Sequence, residues 1–148
     1  MPSALINATT QSEWRELGFY YDRDDDAQVW RLLGTKEGLL GFVRSLKAYA
    51  SDESKLQISE HEHFGPYRYL EVGTWHTPEI TEHWIAGPQT AILALAHKLE
   101  HEILAAQPAS VIAVRESFAP DSPYELQLEI QPDGFDPARQ DPECWDEA

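Results

Sequence analysis

Two histidines and two glutamates alternate along one short segment, at Glu60, His61, Glu62 and His63. Successive side chains of a strand point to opposite faces, so the histidines share one face and the glutamates the other. With His76 on the expected neighbouring strand, His61 and His63 could ligate a metal ion. Glu60 and Glu62 could do acid–base chemistry, since paired carboxylates can have split pKa values. The alternative is an acidic edge that serves structure or recognition only.

A second histidine pair lies in a predicted helix. His97, Glu100 and His101 match the H-x-x-E-H pattern of one class of zinc peptidases. Residues at i and i+4 share a helix face, so one zinc ion could bridge the two imidazoles. The apolar stripe of this helix, however, contains Leu99 and Ile103, and the helical period places both histidines on the side facing water. We therefore expect a solvated helix face.

An aspartate-rich segment follows the first predicted strand. It lacks the D-x-D-x-D-G spacing and the distal glutamate of a calcium-binding loop. Aspartate favours turns because its side chain bonds nearby backbone groups. The segment is therefore predicted to be a solvated turn, or a contact for an arginine- or lysine-rich partner, through Asp22, Asp24, Asp25 and Asp26.

Three aromatic residues are predicted to share one face of the strand after the histidines: Tyr67, Tyr69 and Trp75. Leu70 and Val72 alternate with them and are typical of core positions. Aromatic side chains on a face that does not join the core make good interface anchors, since they bury a large area at low entropic cost. The alternative is that a helix covers this face and the aromatics belong to the core.

The charge of the chain bears on its partners. Twenty-six acidic residues and 11 basic residues give a formal net charge of −15 at pH 7. Such a surface repels phosphate backbones and anionic membranes, so the sequence predicts binding to neither nucleic acid nor membrane. A basic partner would be attracted, although solubility or adaptation to high salt would also account for the charge. The sequence has no nucleophile motif and no phosphate-binding loop, which favours a protein that is not an enzyme and needs no cofactor.

The length of 148 residues suits one domain. The sequence has no 18-residue apolar run and no secretory signal at its start. Its one cysteine, Cys144, lies in a polar tail, which favours a reducing compartment. We therefore expect a cytoplasmic protein.

Hydrophobic periodicity predicts an α+β fold in which two α-helices pack on a mostly antiparallel sheet. One domain is expected over residues 1–131. An acidic, proline-containing and loosely ordered tail is expected over residues 132–148, and its Trp145 could dock onto the domain. Gly65 and Pro66 are expected to form a hairpin turn. The predicted strands are 14–22, 28–33, 56–64, 67–75, 80–86, 111–118 and 124–130, and the predicted helices are 36–50 and 89–106.

Three segments carry a resemblance to a known class of proteins. The runs Glu16–Asp22, Ser59–Tyr67 and Tyr69–Trp75 resemble a bacterial immunity-protein family of polymorphic toxin and contact-dependent growth inhibition systems. The resemblance covers roughly residues 14–104 and rests on overall pattern. It implies a small cytosolic protein that binds one cognate toxin domain and blocks it. Many such toxins are nucleases with basic clefts, which an acidic inhibitor would cover.

The leading hypothesis is therefore an immunity protein that occludes the active site of a toxin domain with a basic surface. One alternative is a small metal-dependent enzyme or ligand-binding domain that uses His61, His63 and His76. Another is a mimic of nucleic acid that spaces its carboxylates like phosphates. Under the leading hypothesis, acids make the charged contacts and aromatics are the anchors. These residues are Asp22, Asp24, Asp25, Asp26, Glu60, Glu62, Tyr67, Tyr69 and Trp75.

Overall fold

The computed structural model describes residues 4–142. The helices are α1 (Ala4–Leu17), α2 (Lys36–Ala50), α3 (Gln89–Ala105) and α4 (Arg115–Phe118). The strands are β1 (Phe19–Asp24), β2 (Val29–Gly34), β3 (His61–Phe64), β4 (Leu70–Thr74), β5 (Glu79–Ile80), β6 (Ile85–Gly87), β7 (Val111–Ala113) and β8 (Glu125–Ile130). The predicted α+β class is confirmed.

The strands form two four-stranded sheets where the sequence predicted one. The first sheet has the order β1-β2-β8-β7 and the second has the order β3-β4-β6-β5. Four of the six strand pairings are antiparallel, whereas β2–β8 and β4–β6 are parallel. Both sheets are therefore mixed. The two strands of a parallel pair are not joined by a tight turn, because a longer connection with further helices or strands lies between them. Local periodicity does not predict which strands pair in this way.

The two predicted helices are confirmed, and α2 packs along α3. Helix α2 begins where the Thr35 side chain accepts a hydrogen bond from the backbone N–H of Gly38, the N-cap that the sequence predicts. The apolar stripes of both helices are buried, including Leu39 and Phe42 in α2 and Leu99 in α3. Over residues 4–142, no helix combines the length and the apolar character needed to cross a membrane.

The predicted strand at residues 14–22 is wrong in its first part. Residues up to Leu17 belong to α1, and β1 begins only at Phe19. Gly18 separates them with a φ of +92°, and its N–H bonds the carbonyl of Trp14 at 3.0 Å. Glycine adopts this conformation at helix ends without steric cost. The aromatic residues that follow Gly18 gave the segment its strand-like pattern.

Two other predicted strands are interrupted. The strand at 80–86 splits into β5 and β6 because the Thr81 hydroxyl accepts hydrogen bonds from the N–H groups of His83 and Trp84, which turns the chain. The strand at 111–118 ends at Ala113, and residues 115–118 form α4. There, the Glu125 side chain accepts bonds from the N–H groups of Val114 and Arg115. Side-chain bonds to the backbone thus replace the strand ladder.

The C-terminal segment is ordered where the structure describes it, so the prediction of loose order is wrong for residues 132–142. A short 3₁₀ turn spans Pro137–Gln140, in which Ala138 is buried. Arg15 forms an ion pair with Asp136 at 3.0 Å, which ties the segment to α1. Cys144 and Trp145 lie outside the described residues.

Candidate functional site

The hairpin of β3 and β4 separates the core from an open face. Leu70 and Val72 are fully buried, as the alternation predicts, and Glu71 between them points to the other side. Because paired residues of adjacent strands share a face, the partner of Glu71, His63, lies on this side too. We call this side the outer face of the second sheet; it comprises His61, His63, Glu71, Gly73, Trp75 and Trp84.

Tyr67 and Tyr69, which the sequence predicts in a strand, instead lie in the loop that joins β3 and β4, at one end of the hairpin. The side chains of Tyr67 and Tyr69 are 46% and 67% exposed, and their ring centroids lie 6.1 Å apart. They form part of an aromatic cleft of about 350 Å³, which also contains Asp22. This cleft is lined by Trp14, Tyr20, Tyr21, Asp22, Arg23, Trp30, Tyr67, Tyr69 and Asp141. Its size lies in the range of ligand pockets.

The floor of the aromatic cleft is held by hydrogen bonds. The Trp14 indole N–H and the Tyr67 hydroxyl both donate to Oδ2 of Asp141, at 2.9 and 2.6 Å. The Tyr21 hydroxyl donates to the carbonyl of Pro66. Burial raises the pKa of Tyr21 to about 12. Burial also raises the pKa of Tyr20, and the negative charge of Asp22 raises it further. These phenols therefore stay neutral donors at physiological pH.

A second, acidic cleft of about 730 Å³ lies beside the other end of the outer face. The ring centroids of Trp75 and Trp84 lie 5.6 Å apart there. A Cβ atom at Gly73 would lie 2.2 Å from Cε3 of Trp84, so only glycine lets the indole lie on β4. Glu79 accepts a 2.7 Å hydrogen bond from Trp84 Nε1. The lining residues are Gln28, His61, Glu71, Trp75, Glu79, Thr81, Glu82, His83, Trp84, Pro123 and Tyr124.

Arg23 lies between the two clefts. It lines the aromatic cleft, while its Nη1 donates to the carbonyl of Glu82 in the acidic cleft at 2.6 Å. Its Nε bonds Asp25 at 2.6 Å, and Asp25 also accepts from the Tyr124 hydroxyl at 2.6 Å. The hydrogen bond from Arg23 lowers the pKa of Asp25. The hydrogen bond that Tyr124 donates to Asp25 raises the pKa of Tyr124 to about 12. This network joins the first sheet to the rim of both clefts.

The four aspartates predicted as contacts have different positions. Asp22 lies in β1, lines the aromatic cleft and forms an ion pair with Arg31 at 2.8 Å. Asp24 also lies in β1, and its side chain accepts from the N–H groups of Asp26 and Ala27, which shapes the turn at residues 25–28. Asp26 is exposed at the tip of that turn. The predicted turn at 22–26 is therefore displaced along the chain.

Glu60 and Glu62 lie on the other side of the hairpin. Glu62 pairs with Val72 in the ladder, so it shares the face that the core side chains occupy, although it remains exposed at the edge. Burial raises the pKa of Tyr49, and the charges of Glu60 and Glu62 raise it further. The structure thus places these glutamates on the opposite side of the hairpin from Trp75. It brings Asp22, Tyr67 and Tyr69 together in the aromatic cleft.

The histidines form a cluster whose third member differs from the predicted one. Metal-ligating atoms of His61, His63 and Glu71 all lie within 4.8 Å of one another. His76 is not part of this cluster. Its ring centroid lies 5.1 Å from that of Trp75, and the residue lines a different cavity beside α3. The register of the hairpin decides this, because it pairs His63 with Glu71. Sequence spacing alone does not fix that register.

Other residues of the site are not predictable from local sequence patterns. Trp14 was assigned to a strand, and Asp141 to a loosely ordered tail, so their meeting under the aromatic cleft was not predicted. Trp84 lies in the segment predicted as one continuous strand, 80–86, and Glu79 directly precedes that segment. By contrast, His97 and His101 are exposed on α3, as the helical period predicts.

Comparison with protein-family models, with curated proteins and with solved structures finds no match to this chain. The resemblance to an immunity-protein family therefore stays a prediction.

Proposed function

We propose that this protein binds a basic protein partner through the outer face of the second sheet and its two clefts. The observation that carries the proposal is the composition of the acidic cleft. Glu71, Glu79 and Glu82 line it together with two tryptophans, and none of its described lining residues is lysine or arginine. A lysine or arginine side chain entering there would meet both carboxylates and aromatic rings, which attract cations.

The aromatic cleft at the loop end of the hairpin supplies the apolar part of the interface. Tyr69 is the most exposed large apolar side chain of the described residues, and Tyr67 lies next to it. Tyrosine and tryptophan are enriched among the residues that contribute most to binding energy. The net charge of −15 would accelerate encounter with a basic partner.

We identify the partner, by the resemblance described above, as the toxin domain of a bacterial toxin–immunity system. The protein then acts in the cytoplasm, where it covers the active site of the toxin and performs no catalysis of its own. A nuclease domain suits this role best because its substrate-binding cleft is basic, and an acidic surface competes with nucleic acid for such a cleft.

The proposal is tested with the toxin domain encoded by the neighbouring gene, by growth rescue and by measurement of Kd and the association rate. We expect Tyr69→Ala to raise Kd by about 30-fold, which corresponds to about 2 kcal/mol. The Glu79→Lys/Glu82→Lys variant should slow association about tenfold, and this effect should shrink at high salt.

The matched control is Glu60→Lys/Glu62→Lys, which makes the same change in net charge on the other side of the hairpin. If the outer face carries the interface, this control changes Kd by less than about threefold, or 0.6 kcal/mol. Equal losses in the two double variants would show that net charge alone drives association. If the toxin domain does not bind the unaltered protein, the proposed immunity function is wrong.

A further inference from the structure

We propose that His61, His63 and Glu71 form a binding site for a divalent transition-metal ion of the zinc class. One ring nitrogen of each histidine and one carboxylate oxygen of Glu71 already lie within 4.8 Å of one another. This site shares Glu71 with the acidic cleft, but the inference rests on the chemistry of three side chains and does not require the proposed partner.

The backbone brings the three side chains together. His61 and His63 are two positions apart in β3, so both lie on the outer face, and their ring centroids are 5.1 Å apart. Glu71 is the cross-strand partner of His63, and its Oε1 lies 3.2 Å from Nδ1 of His63. The partner of His61 is Gly73, over which the Trp84 ring lies. Trp84 therefore forms an apolar wall beside the ligands.

Hydrogen bonds to backbone carbonyls set the tautomer of both histidines. Nδ1 of His61 lies 3.0 Å from the carbonyl oxygen of Ser59, and Nδ1 of His63 lies 2.9 Å from that of Arg68. A carbonyl oxygen only accepts, so each Nδ1 carries the proton. With the proton on Nδ1, Nε2 is the ring nitrogen whose lone pair can bind a metal ion, and a rotation of the ring or of Glu71 brings the carboxylate to it. A histidine that donates its other N–H to a carbonyl is the usual arrangement in metal sites, where this bond orients the ring.

The donor set selects the class of ion. Two imidazole nitrogens and one carboxylate oxygen suit zinc and neighbouring transition metals, whereas calcium and magnesium prefer oxygen ligands only. Tetrahedral zinc with bonds of about 2.0–2.1 Å needs ligand atoms about 3.3 Å apart. His61 is exposed and Glu71 is only half-buried, so both have room to close on the ion. Because both also line the acidic cleft, the remaining coordination position faces that cleft.

The test uses untagged, chelator-treated full-length protein and zinc chloride in isothermal titration calorimetry. The exposed pair His97 and His101 offers a competing place for zinc, so the measurements are made in the His97→Gln/His101→Gln background. We expect one zinc ion per chain with a micromolar Kd. His63→Gln and Glu71→Gln should each weaken binding at least about tenfold, while His76→Gln should leave Kd within about twofold.

A second measurement does not depend on the variants. Zinc added to the His97→Gln/His101→Gln protein should shift the NMR signals of the His61 and His63 imidazoles and leave those of His76 and His83 unchanged. Magnesium chloride at the same concentration should shift none of them. The proposal is overturned if that protein binds no zinc below millimolar concentration, or if the shifts occur at the other histidines.

Discussion

Trp14 and Asp141 lie 127 positions apart in the sequence, yet a hydrogen bond of 2.9 Å joins the indole N–H of one to the carboxylate of the other. Both side chains are nearly inaccessible, at 1% and 4% exposure. The Tyr67 hydroxyl donates to the same carboxylate oxygen. One buried acid thus connects α1, the hairpin of β3 and β4, and the C-terminal segment under the aromatic cleft.

The Asp141→Ala variant should lose about 1–3 kcal/mol of the free energy of unfolding, because it leaves the buried Trp14 N–H without its acceptor. Asp141→Asn keeps an acceptor and should lose less. The measurement is urea unfolding followed by tryptophan fluorescence. Asp133→Ala is the control: this residue is exposed in the same segment and should change stability by no more than about 0.5 kcal/mol. Equal effects at both positions would contradict a structural role for the carboxylate.

Two glycines of α2 should respond in opposite directions to the same substitution. A Cβ atom at Gly38 would lie 2.0 Å from the backbone oxygen of Gly18, whereas one at Gly41 would meet nothing nearer than 3.6 Å. Gly38→Ala should therefore destabilise the fold by about 1–3 kcal/mol or more, since backbone cannot move aside cheaply. Gly41→Ala should stabilise it by about 0.5–1 kcal/mol through helix propensity. Thermal or urea unfolding of both variants checks the signs, and the same sign in both would refute the close approach.

The contact between Gly73 and Trp84 predicts a non-additive pair of variants. Gly73→Ala should cost about 1–3 kcal/mol, because the new methyl group would displace the indole, and it should change the tryptophan fluorescence. In a Trp84→Ala background the same substitution should cost close to nothing. The double-mutant cycle therefore gives a coupling energy above about 0.5 kcal/mol. A cost at Gly73 that does not depend on residue 84 would indicate another source of strain.

Alkaline pH should weaken the fold through Tyr21. Burial raises its folded-state pKa to about 12, above the value of about 10 for an unfolded chain. The folded state holds the phenolic proton more tightly, so this contribution is complete below about pH 10 and is lost as the pH rises toward about 12. Urea unfolding from about pH 9 to about pH 11.5 measures the slope. Tyr21→Phe should flatten it and lower the stability at neutral pH; an unchanged slope would assign the effect to other groups.

Local patterns in the sequence were sufficient for part of the fold. The alternation of Leu126, Leu128 and Ile130 predicts β8, and these residues are buried. The apolar stripe of α2 and the N-cap at Thr35 are also recognisable from short stretches of sequence. Such elements are predictable because one face of each is apolar along its whole length, and the period of that face differs between helix and strand. The burial of Leu70 and Val72 in β4 follows from the same alternation.

The sequence by itself determined the charge, the two central helices, the hairpin around Gly65 and the sharing of one face by His61 and His63. Only the tertiary structure decided which distant groups meet: Asp141 with Trp14, Trp84 with Gly73, and Glu71 with the histidines in place of His76. The physical reason is that periodicity fixes the direction of a side chain relative to its own strand or helix. Strand order, register and long-range hydrogen bonds arise only when the elements pack.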